Sequence, residues 1–366
     1  MRIERAVLRE IEVVLRQPFR TSRGTVRSRR VLLLTLEGEG IEAWAECVAG
    51  VDVSSTETVD DAWSTLAELL PRVTGVTFAE PHEILTSLDH LPEARMARAT
   101  VEMAGWEMAA RAAGVSLSKK LGGILSAVPV GVSVGLQDSN DALFDLVGVH
   151  LREGYARIKV KIAPGRDVDM LTAVRERFAD AVLWADANAS YTLHDAERLR
   201  RLDALELGLI EQPLAADDFV GHAQLQELIR TAVCLDESIR SLEDAKYALE
   251  IGACRIVNIK PGRVGGLGES KRIHDLLRGA GMPMWCGGML ETGIGRAYNL
   301  ALASLPGFTL AGDISASRRY WERDIVAPEF DVVDGCMRVP TGPGIGVEVD
   351  VDRVRALTVR EAAFAG

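Results

Sequence analysis

Eight short apolar runs recur along this chain at a nearly constant interval, and each ends on a polar residue or a glycine. The ends are Ser133, Lys161, Asp186, Glu211, Asp236, Lys260, Gly288 and Asp313, with steps of 28, 25, 25, 25, 24, 28 and 25 residues. One strand plus one helix has that period, so the spacing implies a parallel strand–helix barrel. The C-terminal ends of such strands converge on one mouth, which makes neighbours of residues far apart in sequence.

The spacing predicts barrel strands at 128–135, 156–162, 182–188, 208–212, 232–238, 255–260, 283–288 and 309–314. Helical patterns lie between them, as at 167–178, 193–202 and 268–278. Eight evenly spaced strands imply a closed ring with no free edge. A chain of 366 residues leaves room for a second unit. Residues 2–15 and 31–48 read as strands of a small antiparallel sheet, with a polar, aperiodic loop at 18–30 between them. Thr58-Val59-Asp60-Asp61 fits a capping box that starts a helix, and a longer helix is expected over 94–113. After Ser315 the pattern gives way to segments containing Pro and Gly, which are expected to return to the N-terminal unit. The expected division is a cap at 1–125, a barrel at 126–318 and a returning segment at 319–366.

Composition narrows the function. The net charge is −11, with 53 acidic and 42 basic residues. That bias argues against nucleic-acid and anionic-membrane partners, which need a basic face. Charged residues at the N-terminus and the absence of a long apolar run point to the cytoplasm. The five cysteines have no metal-site spacing and read as core residues of a reducing compartment.

In Arg157-Ile158-Lys159-Val160-Lys161, alternation puts both lysines on one strand face. Helices cover the outer face of a parallel barrel, so Lys159 and Lys161 must point into the mouth. Two close ammonium groups disfavour each other's charge, which suits one of them to act as a general base. Asp186, Glu211 and Asp236 each end a strand and would crowd three carboxylates together. Such a set calls for a cation, and oxygen donors without histidine or cysteine suit Mg²⁺ or Mn²⁺. Asn188, on the face of Asp186, could support it. Lys260 ends the sixth strand, across the ring from Lys161. The pair suits proton removal on one face of a substrate and return on the other. The metal would stabilise the enediolate through the substrate carboxylate.

These features resemble the enolase superfamily, specifically its muconate lactonizing enzyme subgroup. Within it the chain is similar to the o-succinylbenzoate synthases that double as N-succinylamino acid racemases. The similarity is carried by Asp236-Glu237-Ser238-Ile239, by 285–296 and by Gly312-Asp313-Ile314-Ser315-Ala316-Ser317. It implies a modified TIM-type (β/α)7β barrel of the α/β class, with an N-terminal α+β capping domain completed by the C-terminal tail. It also implies that Asp186, Glu211 and Asp236 bind Mg²⁺ and that Lys161 and Lys260 are the acid/base pair. Ser133, Asn188, Gly288, Met289 and Leu290 would line the substrate site, with Lys159 beside them and Phe19 in a mobile cap loop. Arg20 or Arg23 could meet a second carboxylate on the substrate. The second cap loop, at 50–55, lacks the Pro and Tyr usual in the family.

The implied partner is a small carboxylate, succinyl-bearing, and a homo-oligomer is one option for assembly. Dipeptide epimerisation and muconate cycloisomerisation are alternative reactions on the same fold. Against the epimerase, Asp313-Ile314-Ser315 replaces the expected Asp-x-Asp. A non-catalytic, metal-stabilised barrel is a more remote alternative.

Overall fold

A computed structural model describes residues 1–21, 24–50, 57–86 and 94–366. Seven parallel strands form one sheet in the order Met284–Cys286, Ile256–Ile259, Val233–Leu235, Ile210–Glu211, Leu183–Asp186, Ile158–Lys161 and Val132–Val134. Every residue of Ile158–Lys161 is buried, as parallel strands covered on both faces require. Beneath the mouth, the ring is filled by Trp184, Leu209, Cys234, Ile256 and Trp285, a cluster separate from the main core.

The expected eighth strand at 309–314 is not a regular strand. Its neighbourhood makes single parallel bridges on both sides, Met284 with Phe308 and Val130 with Gly312. The Asp313 amide donates to the Cys286 carbonyl at 2.9 Å and that of Gly131 to Gly312 at 2.8 Å, so the segment still joins the two sheet edges. Its backbone bonds are divided between two neighbours, and too few fall on either side to build a ladder. The expected first strand is also split. Ala127–Pro129 pairs antiparallel with Cys336–Arg338, and Val132–Val134 then enters the barrel. Gly131 marks the break, where a Cβ would stand 2.4 Å from Arg157 Nε.

The N-terminal unit is a four-stranded antiparallel sheet in the order Thr358–Ala365, Arg5–Thr21, Gly24–Gly38 and Ile41–Cys47. The tail therefore does complete the cap. The expected loop at 18–30 is instead largely paired. After a register shift between Val14 and Phe19, Phe19 pairs with Val26 and Thr21 with Gly24. The irregularity spans Pro18, which has no N–H to give a ladder, and it hides the period of two on which strand recognition depends. Phe19 lies in this hairpin rather than in a loop, edge-on to Tyr320 at 6.4 Å. The capping box is present, with Thr58 and Asp61 bonded reciprocally at the start of Val59–Val73.

Two cap carboxylates fasten this unit to the barrel. Glu102, on the helix Arg95–Ala112, accepts the amides of Leu267 and Gly268 at 2.8 and 2.9 Å, which open the barrel helix Leu267–Gly279. Glu46 accepts the amides of Thr292 and Gly295, each at 3.0 Å, at the start of Gly293–Ala303. Each satisfies amides that a helix N-terminus leaves unpaired. Among the described residues, no helix is long and apolar enough to cross a membrane.

Burial pushes the Glu102 carboxyl up to about 7, against the opposing pull of the Gly268 and Leu267 amides. The folded state thus holds a proton that the unfolded chain releases near 4.5, and the Glu102 contribution to stability falls as pH rises between about 4.5 and about 7. Urea unfolding across that window should show the decline, and Glu102→Gln should flatten it. An unchanged slope in the variant would assign the proton to another group.

Candidate active site

Register brings the polar strand ends together. Asp186 stands level with Lys161 on one side and Glu211 on the other. Asp186, Glu211 and Asp236 are each only 1% exposed, and cationic side chains occupy their oxygens. Lys161 Nζ donates to Asp186 Oδ2 at 2.6 Å and to Asn188 Oδ1 at 2.7 Å. Lys159 Nζ reaches three carboxylates: Glu211 at 2.6 Å, Asp313 at 2.8 Å and Asp186 at 3.1 Å. Lys260 Nζ donates to Asp236 Oδ2 at 2.8 Å, while the Arg263 guanidinium takes Oδ1. Asn258 Nδ2 bridges Glu211 and Asp236 at 3.0 and 2.9 Å.

Phe19, Ser133, Lys159, Lys161, Asp186, Asn188, Lys260, Gly288, Met289 and Leu290 all line one cavity of about 260 Å³. Of the residues singled out in the sequence, Glu211 and Asp236 lie beneath it. Thr21, Gly24, Thr25 and Val26 of the cap hairpin form part of its roof. Arg20 does not line it and instead pairs with Asp138 at 2.5 Å on the exposed side. Arg23 and most of the second cap loop, 51–55, lie outside the described residues.

The expected ammonium repulsion does not dominate. Burial lowers the Lys159 pKa, but Asp313, Glu211 and Asp186 outweigh it and hold the lysine well above its usual range. Burial and Arg263 likewise pull Lys260 down, but Asp236, Glu211 and Glu237 leave it raised. Glu211 is pushed up to about 8, first by burial and then by the charge of Asp186. Burial also raises the Cys286 thiol well above its usual range, as for a core cysteine.

A hard divalent cation fits the donor chemistry here: three buried carboxylates and no nitrogen or sulfur ligand among them. Crowding of three buried carboxylates favours a cation among them. Among the described residues, no three metal-binding side chains already converge on one point. Ligation would therefore require the lysine and Arg263 contacts to open.

Several residues of the mouth escape sequence reasoning. Arg157, at the base of the Lys-x-Lys strand, pairs with Asp313 at 2.8 Å and stacks over Trp184 at 4.3 Å. Asp313 also accepts the Ser133 hydroxyl at 2.7 Å. The period had marked Asp313 as a strand end, and burial of its charge partners was the missing signal. Arg263 reads as part of a glycine-rich turn, but the short helix Pro261–Val264 turns it back onto Asp236.

Cap, barrel and mouth together define a member of the enolase superfamily. Residues 3–122 match the mandelate racemase/muconate lactonizing enzyme N-terminal domain and residues 145–354 the enolase C-terminal domain-like family, and the chain belongs to that family. It is 48% identical to the o-succinylbenzoate synthase of Geobacillus kaustophilus, covering 97% of this chain and 96% of the relative. It is also 48% identical to the N-succinylamino acid racemase of Thermus thermophilus, over 98% of each. A crystal structure of an enolase-superfamily member from Listeria innocua superposes with a TM-score of 0.95 at 39% identity, covering 100% of this chain and 99% of that one.

Removing Asp313 would leave Arg157 buried without its carboxylate, while Lys159 would keep Glu211 and Asp186. Asp313→Ala should cost about 3–5 kcal/mol of stability, the range for breaking a buried pair from one side. Chemical denaturation checks this, and Arg157→Met should add little in the double variant. Additive losses would mean that the two residues do not act as a pair.

Proposed function

We propose that the protein removes the proton α to the carboxylate of a small, succinyl-bearing substrate. It acts as an o-succinylbenzoate synthase, an N-succinylamino acid racemase, or both. The observation that carries this reading is the entry of Lys161 and Lys260 into one cavity from the second and sixth strands, on opposite sides of the ring. An α-carbon held between them can lose its proton to one lysine, become a planar carbanion, and take a proton from the other lysine on the opposite face, which is racemisation. Dehydration of 2-succinyl-6-hydroxy-2,4-cyclohexadiene-1-carboxylate needs the first proton loss and departure of the hydroxyl as water. In that reaction Lys161 is the working base, and Lys260 stabilises the developing anion. Near full-length identity to relatives named for each activity supports both.

In this reading, Asp186, Glu211 and Asp236 hold Mg²⁺, with Mn²⁺ as a substitute. When bound, the ion supplies positive charge to the substrate carboxylate. Opening of the Lys161–Asp186 contact turns the Lys161 side chain from Asp186 toward the substrate, where it acts as the base. Asn188 then still orients Lys161. Lys159 remains as fixed positive charge, while Ser133, Gly288, Met289, Leu290 and Phe19 shape the pocket. Residues 1–125 and 319–366 serve as the cap and 126–318 as the barrel, in a cytoplasmic enzyme.

Specificity constants for the cyclohexadiene carboxylate and for N-succinyl-L-phenylalanine, in Mg²⁺ buffer with a chelator control, test the proposal. Turnover of at least one, lost on chelation, is expected. Lys161→Ala and Lys260→Ala should each lower racemisation by about 100- to 10,000-fold. In D₂O, each variant should exchange the α-proton of one enantiomer only. If wild-type protein turns over neither substrate, the proposed activity is wrong.

A further inference from the structure

The cavity has one apolar side, formed by Met289 and Leu290 next to Gly288. Leu290 has φ +55°, a left-handed conformation that a leucine adopts only at a steric cost. The turn directs two successive carbonyls at one donor. Arg29 Nη1 donates to Met289 O at 2.9 Å and to Leu290 O at 2.6 Å. Arg29 is itself 4% exposed, and its Nη2 is buried with no hydrogen-bond partner among the described residues. The guanidinium is therefore not placed to satisfy itself. Its nearest carboxylate, Glu46, is 3.9 Å away. On the barrel side, Glu291 fixes the same turn by accepting the Met289 amide at 2.8 Å and Asn299 Nδ2 at 2.9 Å. Leu290 is thus held between a clamp from the cap and a clamp from the barrel. The cap clamp lies on the strand Gly24–Gly38, whose first residues roof the same cavity.

We propose that Arg29 is a specificity-determining positioning residue. By holding the Met289 and Leu290 carbonyls, it fixes the wall against which the apolar part of the substrate packs, and it ties that wall to the cap hairpin. Arg29 touches no substrate atom in this role. The inference rests on the acyl-carboxylate reading above, in which the apolar part is the amino-acid side chain.

The test compares N-succinyl-phenylalanine with N-succinyl-alanine in wild type, Arg29→Met and Arg29→Lys, alongside hydrogen exchange at the Leu290 and Glu291 amides. Arg29→Met should raise KM for the larger substrate by about tenfold, with a smaller change in kcat, and so shift the preference between the two. Arg29→Lys, which keeps the charge but not the planar fork, should restore part of it. Exchange at both amides should quicken in Arg29→Met. Glu102→Ala, which weakens the other cap junction and touches neither Arg29 nor these carbonyls, should lower Tm and leave the preference unchanged. An Arg29→Met variant with lowered Tm but unchanged preference and exchange would overturn the proposal. If wild type turns over neither substrate, the functional reading fails, and the exchange rates alone decide whether Arg29 holds the wall.

Discussion

Compensation of buried negative charge is the constraint on which the mouth depends. Asp186, Glu211 and Asp236 are almost wholly removed from water, and Asp313 sits beside them. Carboxylates cannot crowd together in that way unless cations share the space. Lys159 touches three of the four and packs 4.8 Å from the Trp285 ring centre, so it is the hub of the arrangement. The apolar floor below and the salt-bridged layer above are therefore one unit. Strand register decides both, because the same alternation that points Trp184 inward points Asp186 inward two residues later.

Much of this was legible in the sequence for a simple reason. A repeated supersecondary unit writes its length into the spacing of its strand ends, and alternation then assigns the faces. Lys159, Lys161, Asp186, Glu211, Asp236 and Lys260 were found in that way, and the structure brings them to one mouth. The eighth segment differs because the spacing reports where a segment passes and not how its hydrogen bonds are shared. The cap hairpin is hidden in the sequence because Pro18 and the nearby register shift erase the alternation that marks a strand.

Residues that act through tertiary contact alone left no such signal. Asn258 lies inside a strand and reads as one polar residue among apolar neighbours, yet it joins Glu211 to Asp236. Arg157 reads as a strand-end cation, although it is almost fully buried between Asp313 and two tryptophan rings. Local pattern specifies the face a residue occupies. It carries no information about a partner that another strand brings in.

The pairing of Arg5–Ile11 with residues 358–365 bears on how the chain reaches this state. The cap sheet opens with residues 5–11 and is completed by residues synthesised more than three hundred positions later. Until then, the flank of Arg5–Thr21 remains an unpaired strand edge, the kind of surface that templates misassociation. Contacts this distant in sequence also carry a large loop-closure cost before they return any stability. The whole barrel sequence lies between the two partners, so the covering sheet is finished only when both are present, and truncation before residue 358 would leave an open edge beside an otherwise complete mouth.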